Sequence, residues 1–271
     1  MDNIIKNFFS LSHIPFSKNT PSSELYLSSA IKEAVSRLML AAQNEDIVLL
    51  TGAVGSGKSS ALRLFTHKLD IHAFLPVYLP AYPLKIGEIA KQILVQMHII
   101  PPSHASKVVR LLAETVSLFN RDKGIKPVVI IDEAQELPIS TLQALKNIIN
   151  FEMDSVSRML LVLCGQKELC PLLDSAPLES LLRRIRIRYD MPGLSLEETF
   201  QYIRHQMKVC GSEKTIFSDD VVADIFSRTK GCISSINMLC FRLILLAVTE
   251  KREIIEPSML ERVGTDRHAK P

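Results

Sequence analysis

The chain of 271 residues has only five cysteines, and no two of them form a Cys-x-x-Cys pair. Cys164, Cys170, Cys210, Cys232 and Cys240 also lack a histidine at ligand spacing. That argues against structural zinc and a disulfide framework, and for reduced thiols in a cytosolic setting. Charge of one sign is scarce too. A net charge of +3 does not by itself mark a nucleic-acid binder, so any such binding has to come from local patches. Long apolar runs are missing: Leu243 to Val248 falls far below membrane-spanning length. The first nine residues mix Asp2 and Lys6 into their apolar pattern, which excludes a signal peptide. No internal repeat or low-complexity segment is present. The expectation is a soluble cytoplasmic protein with no membrane partner, built as one large or two small domains.

Against that plain background one stretch stands out, Thr51 to Ser60, with the sequence TGAVGSGKSS. Gly52, four intervening residues, then Gly57-Lys58-Ser59 is the spacing of a phosphate-cradling loop in nucleotide-hydrolysing proteins. Gly52, Gly55 and Gly57 permit backbone angles that let successive N–H groups turn toward a phosphate. Lys58 adds a point charge for the β/γ oxygens, and the Ser59 hydroxyl is a ligand for magnesium. The candidate nucleotide-binding residues are Gly52, Ala53, Val54, Gly55, Ser56, Gly57, Lys58, Ser59 and Ser60. An apolar strand pattern, Ile47 to Leu50, precedes the loop. A helical face of Ala61, Leu62, Phe65 and Leu69 follows it, and the helix N-terminus adds its dipole to the anion site.

Elsewhere the pattern alternates. Residues 1–30 are mixed, and Pro15 to Pro21 cannot be regular helix. A helical stripe starts at Ser29 and ends near Asn44-Glu45-Asp46. Ala73–Leu79 reads as a strand whose Pro76 suggests an edge or an irregular end. Helices are predicted over Leu84–Met97 and through Ala105 to Phe119, then a strand buried on both faces, Pro127 to Asp132. Leu142–Phe151 reads as helix and Met159–Cys164 as another buried strand. In Ile185–Met191, alternation with Arg186 and Arg188 leaves one face wet. From Ser195 only helices follow. Ser195 and Glu198 form a capping box, Ser218 is expected to cap a second helix ending at Gly231, a third runs from Ile233 to Thr249, and Pro257 to Val263 is a last short one. Five strands alternating with helices, then helices alone, predict an α/β parallel sheet followed by a small α-helical lid. The division is 1–45 linker and helix, 46–194 core, 195–263 lid and 264–271 tail.

Asp132-Glu133 closes a buried strand, and strand carboxyl ends in such sheets face the ligand crevice. Asp132 is the expected magnesium partner and Glu133 the group that polarises an attacking water. The bland alternative is a pair that caps the next helix. Gln166 follows the fourth strand in the same way. Its amide is a candidate γ-phosphate sensor or water-orienting group, and otherwise a turn glutamine without a role. Within Leu182-Arg183-Arg184-Ile185, an arginine is placed to reach a neighbouring subunit's γ-phosphate.

These residues in this order resemble the ExeA-like group of AAA+ ATPases, which includes secretion-pathway ATPases and ATP-dependent helpers of DNA transposition. The likeness runs through Phe8-Phe9, Ile14-Pro15-Phe16, LLTGAVGSGKSS, VVIIDEAQEL, LVLCGQKEL, LLRRIRIRYDMPGL, the Tyr202-Ile203-Arg204-His205 helix and Ile236 to Cys240. It implies a P-loop NTPase with an AAA+ core, ATP and Mg2+ as cofactors, and Arg184 as the finger residue. Asn150 to Ser155 resembles the transposition helpers, and the secretion members' membrane span and further region are missing from this sequence. The resemblance therefore implies an ATPase that binds duplex DNA without sequence preference in an ATP-dependent way, oligomerises as a ring or filament, and recruits or activates a transposase. The alternative is a secretion-type nucleotide-dependent scaffold without DNA. Where the family carries Pro-Arg after the glycine matched by Gly231, this chain has Ile233-Ser234. That departure implies altered coupling between lid and nucleotide, with hydrolysis slow or controlled by a partner.

Overall fold

The computed structural model describes residues 2–17, 21–150, 156–212 and 214–263. Residues 151–155 of the Asn150–Ser155 segment and the tail from Gly264 lie outside them. Two compact units are present, one of residues 31–53 and 61–191, the other of residues 1–30, 54–60 and 192–271.

The first unit is a five-stranded parallel sheet of β1 (Ile47–Gly52), β2 (Phe74–Pro80), β3 (Lys126–Asp132), β4 (Leu160–Gly165) and β5 (Ile185–Met191), in the order β2-β3-β4-β1-β5. The apolar runs went to the middle. All residues of β1 and β4 are buried, as are Pro127 to Asp132 of β3, because both faces are covered. The strands with mixed patterns went outside. β2 and β5 are the edges, and Arg186 and Arg188 are exposed on β5. Around the sheet stand α2 (Ser29–Asn44), α3 (Lys58–Lys68), α4 (Ile86–Gln96), α5 (Ala105–Lys123), α6 (Ile139–Ile148), α7 (Leu169–Leu173) and α8 (Glu179–Leu182). On one face, Ile89, Ile93, Leu94, Val108, Leu112 and Val116 of α4 and α5 pack with Val129, Ile131, Leu161 and Leu163 of the strands.

The β2 edge is closed in an unusual way. The Gln96 side-chain amide accepts from Tyr78 N–H at 3.1 Å and donates to Tyr78 C=O at 2.8 Å, so it pairs with the backbone as a neighbouring strand would. By the period of two, the other outward positions are Phe74, whose N–H donates to Asp70 C=O at 2.8 Å, and Pro76 and Pro80, which have no N–H to offer.

The second unit has its own core. α9 (Leu196–Val209), α10 (Asp219–Thr229), α11 (Ile233–Glu250) and α12 (Pro257–Val263) pack with α1 (Asp2–Phe9). The helix α1 was not foreseen. Its Ile5 and Phe9 are buried in the same cluster as Ile244, Leu243 and Ala247 of α11. Further along, Tyr26 O–H donates to Gln201 at 2.8 Å, and Ser29 N–H donates to Glu198 at 2.7 Å. α11 is long and apolar enough by length and composition to cross a membrane, with a mean hydropathy of 1.6. Its residues Ile236, Cys240, Leu243, Ile244 and Ala247 are buried in this core.

The box at Ser195 is formed. Its hydroxyl accepts from Glu198 N–H at 3.1 Å, and the Glu198 carboxylate accepts from Ser195 N–H at 3.1 Å. Ser195→Ala should therefore lower unfolding stability by about 1 kcal/mol in a denaturant titration. Ser218 departs from expectation. It occupies the N-cap position of α10, but its buried hydroxyl has no partner among the described residues. The favourable charge at that end comes from Asp219 and Asp220 in the first turn.

Candidate nucleotide site

Because the strands are parallel, β1, β3 and β4 present their carboxyl ends at one edge of the sheet. Gly52, Asp132 and Gly165 are the last residues of those strands. That edge is where ligand crevices form in α/β sheets. Asp132, Glu133 and Gln166 are brought together there.

Asp132 is buried, 7 % exposed, and each of its carboxylate oxygens accepts a hydrogen bond. One oxygen accepts from the Tyr78 hydroxyl at 2.8 Å, the other from Glu133 N–H at 3.0 Å. Tyr78 was not foreseen as a site residue, and a linear reading gives no sign of it. Only the register reveals it: Pro80 is paired with Asp132, so Tyr78, two residues earlier, shares its face. Burial, then the bond to Asp132, pushes the Tyr78 phenol above its usual pKa and keeps it a donor.

Glu133 has φ 56°, a left-handed conformation rare for residues with side chains. Its Oε2 accepts from Gln135 Nε2 at 2.6 Å and from Gln166 Nε2 at 3.1 Å. The Gln166 amide is thus turned to Glu133. Gln135 was missed as well, although it lies in the same Asp-Glu-Ala-Gln run.

The phosphate loop belongs by its contacts to the second unit. Gly55 has φ 76° and Gly57 φ 101°, as the cradle requires. Gly52 corrects the expectation of a third special angle. It closes β1 as a strand residue paired with Met191. Ala53 and Val54 are exposed, Lys58 is buried as the first residue of α3, Ser59 is exposed and Ser60 half-buried. The Ser56 hydroxyl is buried without a partner among the described residues, an orphan that an incoming phosphate oxygen would satisfy.

At Ile233-Ser234, where the family's Pro-Arg was missed, the start of α11 lies on the loop. A Cβ on Gly55 would fall on the Ser234 hydroxyl and 2.6 Å from Ser234 Cβ. Cys232 Sγ donates to Val54 C=O at 3.2 Å. Burial opposes the Cys232 thiolate, but hydrogen bonds from Ser234 and Ser235 outweigh it and lower its pKa.

Arg184 is not with the others. It precedes β5, at the amino edge of the sheet, in a cleft of 330 Å³ lined by Glu45, Asp46, Ser157, Arg183 and Arg186.

Residues 41–173 match the family described as "AAA domain". General secretion pathway protein A of Aeromonas hydrophila is 30% identical over 244 residues, which are 89% of this chain and 44% of that protein. The chain thus spans less than half of that relative's length. Among solved structures, Cdc6p from Pyrobaculum aerophilum aligns with a TM-score of 0.69 at 17% identity, covering 93% of this chain and 70% of that one. Drosophila ORC bound to DNA aligns with a TM-score of 0.67 at 15% identity, covering 98% and 66%. Those two share the fold.

Proposed function

We propose, taking as premise that residues 41–173 are an AAA domain homologous to part of general secretion pathway protein A, that the chain binds and hydrolyses ATP to control its own assembly. The observation that carries this reading is the carboxyl edge of the sheet. There the strand feeding a Gly-x-x-x-x-Gly-Lys-Ser loop runs parallel to one that ends in Asp132 and is followed by Glu133.

Magnesium fits the donor set. No group of three or more His, Cys, Asp or Glu among the described residues is placed to hold a metal. Magnesium asks for less, one or two protein oxygens beside substrate phosphates and waters. Asp132 and Ser59 would hold it, and when bound it offsets phosphate charge. Lys58 and the loop N–H groups bind the phosphates, and Tyr78 fixes the Asp132 carboxylate. The water oxygen bonds to the γ-phosphorus as the bond to the β–γ bridging oxygen breaks. Glu133 takes the water's proton, leaving ADP and phosphate.

The finer reading is that the ATP-bound form oligomerises on duplex DNA and regulates a transposase. A DNA-bound ORC of the same fold supports the DNA part. A net charge of +3 gives one subunit little grip, whereas an oligomer multiplies phosphate contacts along one duplex. Anisotropy of a labelled duplex should then rise cooperatively with protein in ATP or a non-hydrolysable analogue, and not in ADP. Binding should weaken steeply with salt and ignore sequence scrambling. Equal affinity with ATP, with ADP and without nucleotide would exclude this reading. The second reading, a secretion-type assembly ATPase acting without DNA, is favoured by the 30% identical relative and would then stand.

A further inference from the structure

We infer that Gln135 is the positioning residue for Glu133, and that Gly165 is glycine to make room for it. The inference rests on the proposed ATP hydrolysis and adds a residue to it.

Gln135 sits in a short 3-10 turn, Ala134–Glu136, directly after Glu133. Both ends of its amide are used. Its Oε1 accepts from the backbone N–H of Gln166 at 3.1 Å, and its Nε2 donates to Glu133 Oε2 at 2.6 Å. The two bonds fix each other's sense. A backbone N–H can only donate, so the end facing Gln166 is the oxygen; the NH2 end is left for the carboxylate. Gln135 therefore ties the end of β3 to the end of β4 through the one side chain expected to activate water.

The space for this tie comes from Gly165. A Cβ there would lie 2.5 Å from Gln135 Oε1 and 3.0 Å from Leu169 Cδ2. Gly165 is a strand residue and is absent from the positive-φ glycines, so clearance is what the position demands. Any side chain at 165 would push the Gln135 amide out of place.

Gln166 completes the division of labour. Its own amide reaches the same Oε2 at 3.1 Å, the longer of the two bonds. It can swing to a γ-phosphate oxygen while Gln135 keeps Glu133 aimed. One amide is the fixed support and the other the exchangeable contact.

The test is steady-state ATP hydrolysis by the full chain. Gln135→Ala should lower kcat about 100-fold, the scale of a misplaced reacting group. KM for ATP should stay within about twofold, since uniform binding is untouched. Gly165→Ala should reproduce the loss by displacing the same amide. Added to Gln135→Ala it should cost almost nothing more, because the contact it breaks is already gone. Gln135→Met keeps the side chain's length without its polar ends, and serves if the alanine variant fails to fold. A Gln135 variant with wild-type kcat would overturn the inference. So would a double variant whose losses multiply, or losses in kcat and KM together with reduced thermal stability. A wild-type chain that turned over no ATP would remove the hydrolytic reading itself, which is a different failure.

Discussion

Arg184→Ala is expected to reduce ATP turnover by about 10³–10⁵-fold, the usual contribution of an arginine finger, while nucleotide affinity of single chains stays near that of the wild type. The motive is location. Arg184 precedes β5, a strand of seven residues, while Glu133 follows the opposite end of a parallel strand in the same sheet. At 3.3 Å per residue the strand length alone separates them by roughly 20 Å, beyond an arginine side chain's reach. If Arg184 meets a phosphate, that phosphate belongs to a neighbour. Mixing Arg184→Ala with Glu133→Gln chains should therefore restore activity, since some mixed interfaces pair an intact Glu133 with an intact Arg184. Phosphate release measured across mixing ratios reads this out. No recovery at any ratio, with mixed oligomers demonstrated by crosslinking, would rule out shared sites.

Glu133→Gln and Lys58→Ala should separate chemistry from binding. The glutamine keeps the shape but cannot take a proton, so turnover should fall by about 10²–10⁴-fold with ATP affinity retained. Lys58 has no substitute for its charge at the β/γ oxygens. Losing a charge-assisted contact of about 1.5–3 kcal/mol should weaken binding by roughly 10–150-fold. Calorimetric titration with ATP beside a phosphate-release assay distinguishes the two. Equal loss of binding in both variants would refute the assigned roles.

What could be read from the sequence follows from what each signal measures. The apolar runs Ile47–Leu50, Pro127–Asp132 and Met159–Cys164 have one solution in an α/β sheet, the doubly covered interior, and that is where they lie. Of the two readings Pro76 allowed, an edge or an irregular end, the edge is the one found, because a missing N–H is poorly tolerated between two strands. The loop's spacing and the Asp-Glu pair were visible because their chemistry depends on neighbours in sequence. Tyr78 and the Gln135–Gln166 bond were not, since they join segments 54 and 31 residues apart through register and turn geometry. α1 escaped because its burial depends on a helix more than two hundred residues away, with only Ile5 and Phe9 to announce it. α7 and α8, of five and four residues, are too short to show a period.

The closed β2 edge has a consequence for how copies of this chain can associate. Strand-to-strand addition needs a row of open N–H and C=O groups; here the row reads a phenylalanine whose N–H is taken by Asp70, proline, a tyrosine whose peptide groups are already taken by Gln96, and proline. A second copy cannot extend the sheet from this side, and neither can a stray extended peptide during synthesis or crowding. A ring or filament of the proposed kind would not be joined by strand addition at β2. Side-chain contacts on that side could part and re-form, whereas a shared sheet would lock.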